Sequence, residues 1–218
     1  MYYKTFHGEF IQSRYVDQVL REYFPDYSYK GVFFDIGAYE PINISNSYHF
    51  EKNGWDTYCF EANTDRIEEL KEHRKNVYNF AISDSNKDDI SFNVVYSIWG
   101  GGSFTAGLSA IDIDPQYLQK FRGGIKEMKK IVVHQRTLDT IIDENIGSEK
   151  IKQIDILSVD VEGGELSVLK GLNFEKYKPK ILCIENVFNN NNIQDYLCKM
   201  NYKLDKQIEY NQFYVLLN

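Results

Sequence analysis

Short apolar runs alternate along the chain with segments whose apolar residues recur at helical spacing. Such runs, bounded by turn residues, are typical of strands, and they lie at residues 32–36, 57–60, 77–82, 90–96, 131–134, 154–159, 180–184, 202–208 and 212–217. The helical spacing covers residues 9–24, 45–52, 65–75, 137–143, 165–171 and 193–200. This alternation predicts an α/β fold with a mostly parallel sheet between two layers of helices and a closing antiparallel hairpin.

Residues 98–124 interrupt the alternation with a glycine-rich stretch, Gly100–Ser109, and with Gly123 and Gly124. Long glycine-bearing insertions in compact domains are usually functional covers or disordered segments. Because aromatic and apolar residues continue through this stretch, we predict that it covers the substrate. No repeat or linker divides the rest of the chain, so we expect one domain over residues 1–218.

Composition narrows the classes of function. The 218 residues are 43% hydrophobic and 26% charged, with a net charge of −7, which is typical of a globular protein. The negative charge argues against a nucleic-acid partner and fits a neutral or cationic small-molecule or glycan substrate. We expect no membrane span, because no apolar stretch reaches about 18 residues. Three widely spaced cysteines and the absence of a signal-peptide core indicate a cytoplasmic protein.

Acidic residues end or follow four of the predicted strands, at Asp35, Glu61, Asp160 and Glu185. The carboxyl ends of parallel strands lie on one edge of a sheet, so these carboxylates should converge. Converging carboxylates are unfavourable unless a cation, a ribose or a positively charged ligand lies among them. The pattern therefore indicates a ligand site, although a single acid of this kind is usually a helix cap or a surface charge.

The turn after the first strand begins at Gly37, which permits a sharp turn and a close approach to a ligand. In nucleotide sites an acid placed like Glu61 accepts hydrogen bonds from ribose hydroxyls. The turn lacks the G-x-G-x-x-G pattern of dinucleotide sites, so it suits an adenosine with a small charged tail. S-adenosylmethionine, whose sulfonium and amino groups are cationic, fits such an acidic edge.

Several motifs together resemble the FkbM family of methyltransferases. They are DIGAYEP at 35–41, EAN at 61–63, FAISD at 80–84, TLD at 137–139 and SVDVEGGELSVLKG at 158–171, the last being the most specific. The resemblance covers about residues 9–217. It implies a class I methyltransferase fold, a Rossmann-like sandwich with a mostly parallel seven-stranded sheet and a C-terminal antiparallel hairpin strand. It also implies S-adenosylmethionine as cofactor and O-methylation of a sugar or natural-product hydroxyl.

The resemblance implies a set of cofactor contacts along the strand ends. Asp35, Gly37 and Ala38 would line the methionine side of the cofactor, and Glu61 would hold its ribose. Ala62 and Asn63 would flank the adenine, and Ala81, Ile82 and Asp84 would contact its edge. The transferring methyl group would lie beside Asp160.

One residue departs from many class I enzymes, which carry a second glycine where this chain has Pro41. Proline has no N–H to offer a ligand. We therefore predict that Ser45 and Asn46, at the start of the next helix, bind the methionine carboxylate, since helix N-termini bind anions. The alternative is that they only cap the helix.

Methyl transfer to a hydroxyl needs a group that takes the proton. The candidate bases are Asp160, Glu162, His134 and His49, although His134 is more often explained as an ordinary strand-end residue. His49 lies within a predicted helix and is expected to be structural.

A metal is the alternative means of removing this proton. Asp160, Glu185 and Asn186 would supply oxygen ligands to Mg²⁺, which could bind substrate hydroxyls and lower the pKa of one.

The leading hypothesis is an S-adenosylmethionine-dependent O-methyltransferase for a sugar, nucleotide sugar or polysaccharide. The alternatives are methylation of another small polar metabolite, an NAD-dependent oxidoreductase and a non-catalytic protein that binds the adenosyl cofactor. Whether the chain forms a homo-oligomer stays open at this point.

Overall fold

The structure is a computed structural model of the 218-residue chain. It describes residues 2–99, 103–105, 109–111, 115–116, 119 and 124–217. The strands are β1 Phe10–Ile11, β2 Arg14–Tyr15, β3 Val32–Ile36, β4 Asp56–Phe60, β5 Val77–Tyr78, β6 Ala81–Ile82, β7 Lys87–Trp99, β8 Ser103–Thr105, β9 Ile125–Arg136, β10 Ile156–Val159, β11 Ile181–Glu185, β12 Tyr202–Ile208 and β13 Asn211–Leu216.

The helices are short and lie mostly between the strands of the main sheet. They are α1 Val16–Tyr23, α2 Tyr48–Lys52, α3 Thr64–His73, α4 Leu138–Ile141, α5 Glu165–Lys170, α6 Phe174–Tyr177 and α7 Asn191–Lys199, with one π-helical turn, Ile142–Ile146, directly after α4.

The main sheet has seven strands within the described part of the chain, in the order β12-β13-β11-β10-β3-β4-β5. The pairs β11–β10, β10–β3, β3–β4 and β4–β5 are parallel, whereas β13 runs antiparallel to both β11 and β12. The predicted α/β fold with a mostly parallel sheet is confirmed. The carboxyl ends of β10, β3 and β4 therefore lie side by side on one edge.

Side chains of the central strands pack alternately into two cores, one on each face of the sheet. Phe34 and Leu157 face a core that includes α4 and α5, whereas Phe33 and Ile156 face the core formed with α1 and α2. Because both faces are covered, β3 and β10 are near-continuous apolar runs rather than alternating ones. This is why their sequences were recognisable as strands.

The predicted strand 77–82 is two strands in two different sheets. β5 is the edge of the main sheet, whereas β6 pairs with β9 in a second sheet of order β6-β9-β7-β8. The amide of Asn79, between them, donates to the carbonyls of Glu61 at 2.8 Å and Ala62 at 3.1 Å. These hydrogen bonds turn the chain out of the main sheet.

The second sheet is dominated by a long antiparallel pair, β7 and β9, of which the sequence analysis predicted only the central parts. Within the predicted insertion 98–124, residues 103–105 pair with the end of β7, and Ala110 forms an isolated bridge with Asn93. Apart from residues 109–111, 115–116, 119 and 124, the rest of the predicted cover after residue 105 lies outside the described residues. No helix in the described part of the chain is long and apolar enough to cross a bilayer.

The N-terminal helix begins later than the predicted residue 9. Residues 10–15 form the small hairpin β1–β2, and α1 starts only at Val16, whose N–H donates to the carbonyl of Glu9 at 2.9 Å. The carboxylate of Asp17 accepts a hydrogen bond from the N–H of His7 at 2.7 Å. These two contacts hold the N-terminal segment folded back onto α1.

Asp17 is 0% exposed, and burial raises its pKa from 3.8 to about 7. A raised pKa means that the folded state favours the neutral carboxyl, so the contribution of Asp17 to stability is complete below about pH 4 and is lost as the pH rises through 7. Asp17→Asn stays neutral throughout. The free energy of unfolding of this variant, relative to the wild type, should therefore increase by on the order of 3 kcal/mol between pH 4 and pH 8.

Urea unfolding at several pH values measures this difference. Asp195→Asn, at an exposed side chain on α7, is the control for the removal of one carboxylate. If the difference in unfolding free energy between Asp17→Asn and the wild type does not change with pH, the raised pKa of Asp17 is contradicted.

Candidate active site

A cavity of about 330 Å³ opens at the carboxyl ends of β3, β4 and β10. Its floor is formed by the turns that follow these strands, and its far wall by the second sheet, through Phe92, Ala110 and Gln135. This is the edge of an open α/β sheet at which ligands bind. Its volume is within the range of small-molecule sites.

The first turn is held tightly against β10. Gly37 has φ +85°, and a Cβ on it would lie only 1.8 Å from the carbonyl oxygen of Asp160. The N–H of Gly37 donates to the carbonyl of Phe60 at 2.9 Å, and the N–H of Asp160 donates to that of Ile36 at 3.0 Å. Glycine is therefore required here both for its backbone conformation and for the contact between two strand ends.

Glu61 follows β4 and stands in the cavity wall. Its two carboxylate oxygens accept hydrogen bonds from the N–H groups of Tyr39 at 2.9 Å and Asn63 at 2.7 Å. Burial raises the pKa of Glu61, and these N–H donors oppose that shift. A carboxylate has about four lone-pair sites, so Glu61 retains capacity to accept hydrogen bonds from two ligand hydroxyls.

The wall beyond Glu61 is mainly apolar. It contains Ala62, Phe80, Ala81, Ile82 and Phe92, with Ser83 and Asp84 at its rim. A slot with apolar faces and a few polar groups at the edge suits a flat heteroaromatic ring.

The other end of the cavity is a loop that directs two acids inward, Asp160 and Glu162. Glu162 has φ +59°, and Gly163, which follows it, has φ +107°. A left-handed conformation at a residue with a side chain costs about 1–2 kcal/mol. The loop is held by Glu165, whose carboxylate accepts from the N–H of Gly163 at 2.9 Å. Strain of this kind is typical of functional sites.

Glu185, at the end of β11, completes an acidic cluster with Asp160 and Glu162. One carboxylate oxygen from each lies within 4.8 Å of the others. Burial raises the pKa of all three well above the ordinary range, with further contributions from neighbouring acids, including Glu9 of the N-terminal segment.

The wider acidic cluster combines negative charges from three parts of the chain. Glu9 itself accepts from the amide of Asn211 at 2.9 Å. Four carboxylates in a half-buried location repel one another and favour a bound cation or protonation.

Residues 35–205, more than half of the chain, match the sequence profile of the methyltransferase FkbM domain. The chain belongs to the FkbM methyltransferase family. This family implies S-adenosylmethionine as the methyl donor.

Among solved structures, the chain is similar to a precorrin-6y C5,15-methyltransferase from Geobacter metallireducens GS-15. The two share 11% sequence identity with a TM-score of 0.41, over 97% of this chain and 91% of that one. Comparison with curated protein sequences gave no match.

In this FkbM protein, several predicted cofactor residues lie in the cavity wall. They are Gly37, Glu61, Ala62, Ala81, Ile82, Asp84 and Asp160. The predicted bases Asp160 and Glu162 also line the cavity. Their roles in binding and catalysis remain predictions.

Asp35, predicted on the methionine side, lies behind the cavity wall. Alternation along β3 places its side chain on the face of Phe33, toward α2. There it accepts a hydrogen bond from Ser47 Oγ at 2.5 Å, and Ser47 Oγ accepts one from Arg74 Nη2 at 2.7 Å. Burial raises the pKa of Asp35, and this hydrogen bond and the Arg74 charge oppose the shift.

Arg74 connects this network to other predicted residues. Its guanidinium donates to Ser45 Oγ at 2.9 Å and forms a buried ion pair with Glu51 at 3.0 Å. Asn46, the second predicted carboxylate donor, gives its amide N–H to Ser158 Oγ at 3.3 Å. Ser45, Asn46 and Ser47 therefore form hydrogen bonds within the protein and do not line the cavity.

Two other predicted cofactor residues also lie outside the wall. Ala38 packs against Cys59 and Leu70. Asn63 is buried and caps α3, because its side chain accepts from the N–H of Asp65 at 3.1 Å.

The predicted metal ligand Asn186 does not join Asp160 and Glu185. Its amide donates to Asn190 O at 3.0 Å and Gln212 Oε1 at 3.1 Å, and its oxygen accepts from the N–H of Asn190 at 2.9 Å. Glu162 takes its place in the cluster. Adjacency in sequence to Glu185 was misleading because successive residues at a strand end point to opposite sides.

The two histidines considered for catalysis lie away from the cavity wall. The side chain of His134 is 53% exposed on β9, with Nδ1 at 3.4 Å from Asp88. His49 is buried in α2, with its Nδ1 at 2.8 Å from the carbonyl of Thr5. Burial lowers the pKa of His49 to about 4, which agrees with its predicted structural role.

Sequence reasoning missed the contributions of Glu9, Tyr39, Phe92 and Gln135. Phe92 and Gln135 reach the cavity through the β7–β9 pair, which no local pattern places against the main sheet. The left-handed Tyr39, with φ +46°, presents its N–H to Glu61. The Asp-x-Glu spacing of 160–162 was the one local signal for Glu162.

Gly37→Ala should destabilise the protein by more than 4 kcal/mol and abolish cofactor binding. A non-glycine residue at positive φ costs about 1–3 kcal/mol, and the added Cβ must also displace the backbone of Asp160. Gly163→Ala is the matched control, because it carries the same conformational cost but meets nothing within 4 Å. Urea unfolding measures both, and equal losses would contradict the importance of this contact.

Arg74→Met should cost about 3–5 kcal/mol, because it leaves Glu51 as a buried, unpaired charge. Lys71→Met, in the last turn of α3 at a side chain 56% exposed, should change the free energy of unfolding by less than about 0.5 kcal/mol. Denaturant unfolding of the two variants tests this. A loss below 1 kcal/mol for Arg74→Met would show that the network does not stabilise the fold.

Proposed function

We propose that the protein transfers a methyl group from S-adenosylmethionine to a hydroxyl of a sugar, nucleotide sugar or polysaccharide. One observation supports this most strongly. A single cavity has Glu61, suited to a ribose, at one end and an acidic cluster, suited to a cationic centre, at the other. The order of the main sheet, with β13 inserted antiparallel, supports the predicted class I methyltransferase fold.

The spacing of the strand ends agrees with this assignment. β4 and β10 both pair with β3, and neighbouring strands are about 4.8 Å apart. The ends that carry Glu61 and Asp160 are therefore about 10 Å apart. This separation suits a ligand whose ribose and charged tail are joined by a few bonds.

The residues in the wall fit the chemical groups of the cofactor. Glu61 would accept hydrogen bonds from the ribose hydroxyls, and the apolar slot beyond it would hold the adenine, with Asp84 at the edge. Gly37 would allow the tail to lie close to the turn after β3. The acidic end would favour the sulfonium and amino groups electrostatically.

When bound, S-adenosylmethionine supplies a methyl group on a sulfonium, a cationic centre that becomes a neutral thioether after transfer. The protein must hold the acceptor oxygen in line and take its proton. Asp160 and Glu162 line this end of the cavity, and burial raises the pKa of both, which makes each a stronger base than an exposed carboxylate. A Mg²⁺ ion would assist the same step by lowering the pKa of the hydroxyl.

The class of acceptor is inferred mainly from the resemblance to the FkbM family. Ser109, Ala110 and Ile111, which belong to the predicted cover, lie in the cavity wall and would contact the acceptor. Another small polar metabolite is the second candidate. Three free cysteines, two of them buried, support the expected cytoplasmic location.

A thermal-shift comparison tests the cofactor. S-adenosylhomocysteine and S-adenosylmethionine should stabilise the protein, by roughly 2.7 kcal/mol at 100 times the dissociation constant, whereas NAD should not. Glu61→Gln should weaken S-adenosylhomocysteine binding at least tenfold, because the amide has one acceptor oxygen in place of two. Glu68→Gln, at a side chain 89% exposed, is the control. Stabilisation by NAD alone would overturn the proposal.

Labelled methyl transfer tests the acceptor. Incubation with isotopically labelled cofactor and a panel of nucleotide sugars and capsule-type glycans should label at least one sugar as a base-stable methyl ether. Labelling of amines or carboxylates only would contradict O-methylation of a carbohydrate.

A further inference from the structure

Three carboxylates converge because of strand register. β10 and β11 are parallel, with Val159 opposite Ile184. The residues that follow, Asp160 and Glu185, are therefore side by side at the sheet edge. Glu162 reaches the same point from the loop after β10, and one oxygen of each carboxylate lies within 4.8 Å of the other two.

Two of these carboxylates have an unsatisfied oxygen. The Oε2 atoms of Glu162 and Glu185 are shielded from solvent and have no hydrogen-bond partner among the described residues. By contrast, Glu165 nearby accepts from the N–H groups of its own loop. Buried polar atoms are nearly always paired, so the two orphaned oxygens indicate a missing ligand at this point.

We propose that Asp160, Glu162 and Glu185 bind a divalent cation of the Mg²⁺ or Mn²⁺ type. Mg²⁺ binds oxygen ligands at about 2.0–2.1 Å, so ligand oxygens on opposite sides of the ion are about 4 Å apart. The carboxylate oxygens, all within 4.8 Å of one another, reach this geometry by small side-chain adjustments. Glu9, which accepts from the amide of Asn211 at 2.9 Å, adds a fourth negative charge to the wider acidic cluster.

An ammonium group is the competing occupant, since the cofactor and some acceptors carry one. It offers three donors but a single positive charge. Three carboxylates with a fourth nearby exceed that charge, whereas a divalent ion with several waters balances more of it. The two oxygens without a partner in the described part of the chain belong to Glu162, in the loop after β10, and Glu185, at the end of β11. A metal ion is able to bind ligands from both elements at once.

The role of the ion in the reaction rests on the proposed function, whereas its binding does not. Placed beside the end of the cavity where the acceptor would lie, the ion would bind acceptor hydroxyls and favour the deprotonated form of one. Glu165 is a positioning residue, because it holds the loop that carries Glu162.

Isothermal titration of EDTA-treated, metal-free protein with Mn²⁺ tests the site directly. The wild type should bind one equivalent, and Glu162→Gln and Glu185→Gln should each weaken binding at least tenfold. Glu68→Gln on the surface of α3 should bind as the wild type does. Near-UV circular dichroism establishes that each variant is folded, and both variants remove a buried charge rather than add one.

S-adenosylhomocysteine titration of the same proteins separates the two proposals. With Mn²⁺ absent, its affinity should change less than threefold in Glu185→Gln, because Glu185 does not line the cavity. A wild type that binds S-adenosylhomocysteine but not millimolar Mn²⁺ would overturn the metal site alone. Binding of Mn²⁺ without S-adenosylhomocysteine would overturn only the proposed function. A tenfold loss of S-adenosylhomocysteine affinity in metal-free Glu185→Gln would instead assign the cluster to an amino group of the cofactor.

Discussion

The contact between the ends of β3 and β10 is the constraint on which the site depends. Gly37 approaches the carbonyl of Asp160 so closely that no side chain fits between them. This contact joins the turn after β3 to the loop that carries Asp160 and Glu162. One rigid junction therefore sets the position of the predicted cofactor turn relative to the acidic cluster.

The structure treats its buried acids in two different ways. Asp35 is compensated within the protein, because Ser47 donates to its carboxylate and Arg74 lies behind Ser47. Asp160 and Glu185 have mainly other carboxylates as neighbours. A compensated buried charge belongs to the folded framework, whereas an uncompensated one stores free energy that a cationic ligand can release. This difference distinguishes the candidate site from the internal network a few residues away.

The second sheet gives the edge of the main sheet a wall that a bare α/β sheet lacks. The chain leaves the main sheet at Asn79. The strands β7 and β9 of the second sheet then bring Phe92 and Gln135 over the ends of the main strands. A cavity bounded on both sides excludes more water than an open sheet edge, which strengthens the electrostatic interactions within it. The end of β7 lies within residues 98–124, the predicted cover, and β9 begins directly after it.

Local pattern by itself determined the main α/β alternation, the strand-end acids Glu61, Asp160 and Glu185, the glycine turn at Gly37 and the motifs of the FkbM family. These features depend on residue type and short-range spacing, which are written directly in the chain. Tertiary structure alone decided which acids share a location. Strand alternation turned Asp35 away from the cavity, hydrogen bonds with Asn190 and Gln212 occupied Asn186, and the left-handed backbone at Glu162 brought that carboxylate to Asp160 and Glu185. Side-chain direction at a strand end depends on register and on loop conformation, and both are set by contacts between residues far apart in sequence.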